Sequence, residues 1–148
     1  MFHAAVRLGV VAVCVLSLGG CGLANQHHSI TWNAALDTLP DKTCVRDAVT
    51  SVPTVLNVQD ASQGTKRLVL TVFLSTNDLY PQMYVVVAGP PDGFFRIDYS
   101  DYARMHDERE QAARAILDRV SAACGVPDLA SRARESHEAE WSPYLFNI

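Results

Sequence analysis

The residues able to do chemistry in this chain are few and scattered. Asp98, Asp101, His106, Asp107 and Glu108 bring acids and an imidazole close together in sequence, and a general base could be built from them if the backbone folds them onto one site. The same residue types also mark a strand end followed by the solvated, acid-rich start of a helix, and that reading is favoured over catalysis. His27-His28 supplies two imidazoles with no third ligand nearby, which suits a polar spacer better than a metal site. His137, Glu138 and Glu140 lie within one helical turn and point in several directions, as solvated surface residues do. No GxSxG, HExxH, GxxxxGK[ST] or GxGxxG pattern occurs, so no nucleophile elbow, zinc helix or phosphate loop is encoded in a familiar form. No catalytic residue, metal or cofactor is assigned on these grounds.

The most informative chemistry is a single thiol near the start. Arg7 precedes an apolar run from Leu8 to Leu18, which at about eleven residues is too short to cross a bilayer, where roughly twenty are needed. It suits the core of a secretory signal. Gly19 and Gly20 leave the backbone beside Cys21 accessible to a peptidase. Leu18-Gly19-Gly20-Cys21 resembles the lipobox of bacterial lipoproteins. The resemblance implies that lipid is attached to the Cys21 sulfur, that signal peptidase II cuts before Cys21, and that the mature chain begins there. Gly22, in place of Asp, implies export to the periplasmic face of the outer membrane. Several acyl chains, each methylene contributing about 0.8 kcal/mol, would hold a domain on the bilayer essentially permanently. The expected organisation is a signal peptide over 1–20, a lipidated tether over 21–31 and one periplasmic domain over 32–148. The chain also resembles the small two-cysteine envelope lipoproteins of proteobacteria, a group with no assigned activity.

Cutting before Cys21 would leave 128 of the 148 residues, enough for one domain with a modest core. Arg7 would leave with the signal, so 11 basic residues would face 16 acidic ones. That balance argues against nucleic acid as a partner and against a polybasic membrane patch. Of the four cysteines, Cys14 departs and Cys21 carries lipid, leaving Cys44 and Cys124 as a pair in an oxidising compartment. They are expected to be bonded, with a stabilisation of roughly 4 kcal/mol from the loop they close. A zinc site is the poorer use of two cysteines so far apart without clustered histidines.

Between these cysteines the spacing predicts the scaffold. Ile30, Trp32, Leu36 and Leu39 are compatible with a short helical face. Val45, Ala48, Val49 and Val52 recur at helical spacing behind Pro40, and Pro53 stops that helix, giving 40–51. Thr54–Gln59, Arg67–Leu74, Met83–Ala88 and Phe94–Tyr99 read as strands, joined by turn-rich segments that favour an antiparallel meander. A second helix is expected over Asp101–Cys124 on the stripe Ala113, Ile116, Leu117, Val120 and Ala123, closed by Gly125 and Pro127. Asp128–Glu140 reads as a short polar helix before an aromatic-rich tail.

The order implies an α+β fold, an antiparallel sheet of about four strands with two helices on one face, tied by the Cys44–Cys124 disulfide. The other face then carries Val69, Phe73, Val86 and Phe94, too apolar for water alone. The tail from Trp141 folding over them is the favoured cover, ahead of another protein or a second copy of the chain and of misassigned strand faces. The favoured reading of function is a lipid-anchored, non-catalytic interaction module that binds the bilayer through acylated Cys21 and an envelope protein through Val69, Phe73, Val86, Phe94 and Trp141. The alternative is a periplasmic inhibitor or immunity protein directed at an envelope-targeting enzyme, with Ser75–Gln82 as its protruding loop.

Overall fold

Period-two burial decides the first element. In the computed structural model, which describes residues 26–75, 82–101 and 106–141, Ile30, Trp32 and Ala34 are buried while Thr31, Asn33 and Ala35 are more exposed. They belong to strand β1 (Gln26–Ala35). The helical face expected over Ile30–Leu39 is thus corrected: alternation of small and β-branched polar residues with apolar ones outweighs the coincidental helical spacing. Residues 26–31, expected in the tether, are part of this strand as well.

Helix α1 follows at Lys42–Thr50, where the Asp41 carboxylate accepts the Cys44 N–H at 2.8 Å and caps the first turn. Strands β2 (Val55–Asp60), β3 (Arg67–Leu74), β4 (Met83–Ala88) and β5 (Phe94–Asp101) come next. Helix α2 covers His106–Ala123. Asp101, expected to open that helix, instead ends β5. A four-residue helix α3 (Leu129–Arg132) and strand β6 (Arg134–Trp141) complete the described chain. The polar helix expected over Asp128–Glu140 is confined to Leu129–Arg132, and the rest of that range is corrected to this strand. Its Ala, Arg and Glu residues favour a helix locally, and eight-residue pairing with β1 overrides that preference.

The sheet has six strands in the order β2-β3-β4-β5-β1-β6, every neighbouring pair antiparallel. Four strands were expected; β1 and β6 add two more beside β5. Leu68, Leu70, Val72 and Leu74 of β3, Val85 and Val87 of β4, and Phe95, Ile97 and Tyr99 of β5 point to one side. There they share a single core with Val45 and Val49 of α1 and with Ala113, Ile116, Leu117 and Val120 of α2. At about 25 cal/mol per Å² of apolar surface removed from water, this layer supplies most of the driving force for folding.

Cys44, one turn into α1, is bonded to Cys124, which follows the last residue of α2, with the Cα atoms 5.7 Å apart. The two helices are thereby joined across 80 residues of sequence. Gly125 adopts the left-handed conformation just past α2 (φ 66°), the glycine stop that the sequence implies. Gly93 is required for a different reason. A Cβ there would stand 2.1 Å from the Leu36 carbonyl oxygen, because the Gly93 carbonyl accepts the Leu36 N–H at 2.9 Å and draws the two backbones together.

Candidate functional site: the open face of the sheet

The side chains that alternate away from the core form the open face. Pairing registers place them in rows across the sheet. One row runs Arg134, Asn33, Arg96, Val86, Val69 from β6 to β3, and the next runs Ala35, Phe94, Ala88, Arg67. A third runs Ser136, Thr31, Asp98, Tyr84, Thr71, Gln59. The four apolar residues expected on this face, Val69, Phe73, Val86 and Phe94, are there. Val86 is only 8% exposed, packed down by its neighbours, whereas Tyr84 is 43% exposed. Trp141 is not adjacent to them: it pairs with Gln26 on edge strand β6, two strands beyond β5. Residues 142–148, the tail expected to cover the face, lie outside the described residues, as do Cys21 and the segment 76–81 of the expected Ser75–Gln82 loop.

Arginine gives this face its character. The guanidinium carbons of Arg67 and Arg96 lie 5.8 and 5.7 Å from the centroid of the Phe94 ring, so the ring orients both cations without neutralising either. Arg96 also donates to Asp98 Oδ2 at 2.8 Å, and the Thr31 hydroxyl donates to Asp98 Oδ1 at 2.8 Å. Toward the β6 edge, Asn33, Ala35, Arg132, Arg134 and Ser136 line a shallow hollow of about 450 Å³. Arg132 donates to the Ala35 carbonyl at 3.4 Å. No carboxylate of the described residues lies within ion-pair distance of Arg67, Arg132 or Arg134. Four arginines thus stand against one strand carboxylate, Asp98, among the described side chains of this face. The surplus sits on a protein whose formal net charge is −4.

Of the residues singled out for catalysis, Asp98 and Glu108 are the ones whose side chains are described. Asp98 has both oxygens occupied on the open face. Asp101 ends β5 and His106 opens α2, and the Asp101, His106 and Asp107 side chains lie outside the description. Arg109, 7% exposed, is the buried cation of this region, and its guanidinium donates to the Ser100 carbonyl, tying α2 to β5. His27 and His28 are strand residues of β1. His137 pairs with Glu135 at 2.6 Å on the opposite face of β6. Among the described residues no group of three His, Cys, Asp or Glu could hold a metal ion, and no helix is long and apolar enough to cross a membrane.

On the core side, Arg114 lies 4.7 Å from the Trp32 ring centroid and donates twice to Glu110 at 2.9 and 2.7 Å. The hydrogen bonds it gives to Glu110 hold this guanidinium still more firmly protonated than usual. The arginine cluster was missed in the sequence because half of it depends on β6. Arg67 and Arg96 were within reach, since they share strand parity with Val69 and Phe94; Arg134 joins them only once its segment is seen as a strand. No known family profile and no curated protein matches the chain.

Proposed function

We propose that this chain is a lipid-anchored, non-catalytic interaction module of the bacterial envelope, held on the periplasmic face of the outer membrane through acylated Cys21. The observation that carries the reading is the division of labour among the cysteines. Cys44 and Cys124 are bonded to each other, which suits an oxidising compartment. They are the two that the lipobox reading leaves to pair. The folded strand β1 begins at Gln26, so four residues of chain, 22–25, separate the anchoring cysteine from the sheet. The mooring would therefore be short, at most about 18 Å.

The interaction half of the proposal rests on the sheet itself. One face is covered by α1 and α2 and carries the core, while the other exposes Tyr84 and half-exposes Phe73 and Phe94 beside Arg96, which is paired with Asp98, and Arg67, which has no carboxylate partner among the described residues. A patch of aromatic and arginine residues is the composition that protein interfaces favour. Its test is fractionation with cross-linking. The protein should sediment with outer membranes and move to the soluble fraction on Cys21→Ser. A cross-linked partner recovered with the wild-type chain should be lost with Phe73→Ser. A wild-type protein free in the periplasmic fluid would refute the anchor, and a partner indifferent to the open face would refute the docking surface.

A further inference from the structure

We propose that the open sheet face binds an extended acidic segment of a partner protein, whose carboxylates recur at every third residue and meet Arg67, Arg96 and Arg134 in turn. The inference deepens the interaction reading above and rests on it.

Strand spacing sets the pitch. Arg67 is on β3, Arg96 on β5 and Arg134 on β6, with β4 between the first two and β1 between the second two. Neighbouring strands lie about 4.8 Å apart, so successive arginine-bearing strands are separated by roughly 9.5 Å across the sheet. A polyproline-II segment has three residues per turn and a rise of about 3.1 Å, which puts positions i, i+3 and i+6 on one side at intervals of roughly 9.3 Å. The two repeats match across the sheet: Arg96 and Arg134 stand in one row, and Arg67 stands in the next, roughly 7 Å along the strands, an offset within the reach of an arginine side chain. A β-strand would not serve, because its i and i+3 side chains point to opposite sides.

Charge and shape agree on the occupant. Arg67 and Arg134 have no carboxylate partner among the described residues, and Arg96 keeps donors beyond the one it gives Asp98. Guanidinium groups hold carboxylates in paired hydrogen bonds, and Phe94 fixes two of the three by stacking. Glu138 and Glu140 stand at positions of this face four and six residues along β6 from Arg134, and charges further off are screened beyond about 8 Å at physiological ionic strength. Val69, Phe94 and Tyr84 interleave with the arginines, offering contact to the apolar residues that a peptide carries between its acids. A polyphosphate or an acidic glycan has no such residues to place there. The hollow lined by Asn33, Arg132 and Arg134 takes the end of the segment at the β6 edge.

The test uses the full-length protein extracted in neutral detergent and three synthetic ten-residue peptides of related composition. The matched peptide carries Glu at every third position with Pro and Leu between; the permuted one has the same residues with its glutamates contiguous; the neutral one has Gln for Glu. The matched peptide should bind at least fivefold more tightly than the permuted one, and the neutral one should not bind measurably. Arg67→Gln, Arg96→Gln and Arg134→Gln should each weaken the matched peptide two- to fivefold, the range of single exposed ion pairs. Arg119→Gln, an exposed arginine of α2 away from this face, should change nothing. Equal binding of matched and permuted peptides, displacement of the matched peptide by polyphosphate at equal charge, or no binding at millimolar peptide would each overturn the proposal. None of these outcomes depends on whether Cys21 is acylated, so failure here is separable from failure of the anchor.

Discussion

Cutting the Cys44–Cys124 bond should cost this domain a large part of its stability, and the amount can be worked from the topology. The bond closes a loop of 80 residues, for which the loss of chain entropy in the unfolded state corresponds to about 4.5 kcal/mol at 25 °C. Small domains are stable by only about 5–15 kcal/mol in total. Both cysteines are half-buried, so replacing them by serine opens little cavity and the entropic contribution dominates. Urea unfolding followed by circular dichroism would compare wild type with the Cys44→Ser/Cys124→Ser double variant. With a slope of about 2 kcal/mol per M for a domain of this size, the midpoint should fall by roughly 2 M. Each single variant should match the double one, because either removes the whole cross-link. A midpoint change below 0.5 M with an unchanged slope would refute the reasoning, since the unfolded chain would then gain nothing from losing the constraint.

Other substitutions test the packing and the electrostatics. Gly93→Ala should destabilise by about 1–3 kcal/mol, measured by the same unfolding assay, because its Cβ would meet the Leu36 carbonyl rather than a flexible side chain. Ile116→Ala, in the core, should cost about 2–5 kcal/mol, whereas Phe73→Ser on the open face should cost about 1 kcal/mol; comparable losses would mean that the faces are misassigned. Asp60 accepts hydrogen bonds from the Ser62 hydroxyl and backbone N–H, which hold its carboxyl below the usual value. A depressed folded-state pKa means that its contribution is complete above about pH 4 and fades as the pH falls through the folded value. Ser62→Ala should move the Asp60 titration upward, toward 3.8, as read by carboxyl-carbon NMR; an unmoved titration would assign the shift to another cause.

What the sequence disclosed, and what it withheld, follows from where apolar periodicity exists. Strands β3 and β4 and the stripe of α2 are legible because Leu68, Leu70, Val72 and Leu74, or Ile116, Leu117 and Val120, must all reach one core. The Cys44–Cys124 pair is legible because two cysteines are left over once the lipobox reading assigns the other two. Strand β6 is not, because it lies at the sheet edge. Arg134, Glu135, Ser136 and His137 are all exposed, so nothing apolar alternates there and local helix preference fills the silence. Strand β1 was obscured differently: Ile30, Trp32 and Leu36 satisfy both periods, and only pairing with β5 and β6 discriminates between them. The candidate surface was half visible for the same reason. Its apolar members follow from strand parity in β3, β4 and β5, while its arginines become a cluster only when β1 and β6 close the gap between Arg96 and Arg134.

The central claim is that residue 21 is the lipidated start of the mature protein. Intact mass spectrometry of the protein extracted from outer membranes of the producing cells tests it most directly. The expected species is a chain beginning at Cys21, carrying the added mass of its acyl groups, with Cys44 and Cys124 together two hydrogens lighter than free thiols. A mature chain that begins elsewhere, or that begins at Cys21 with an unmodified thiol, would contradict it.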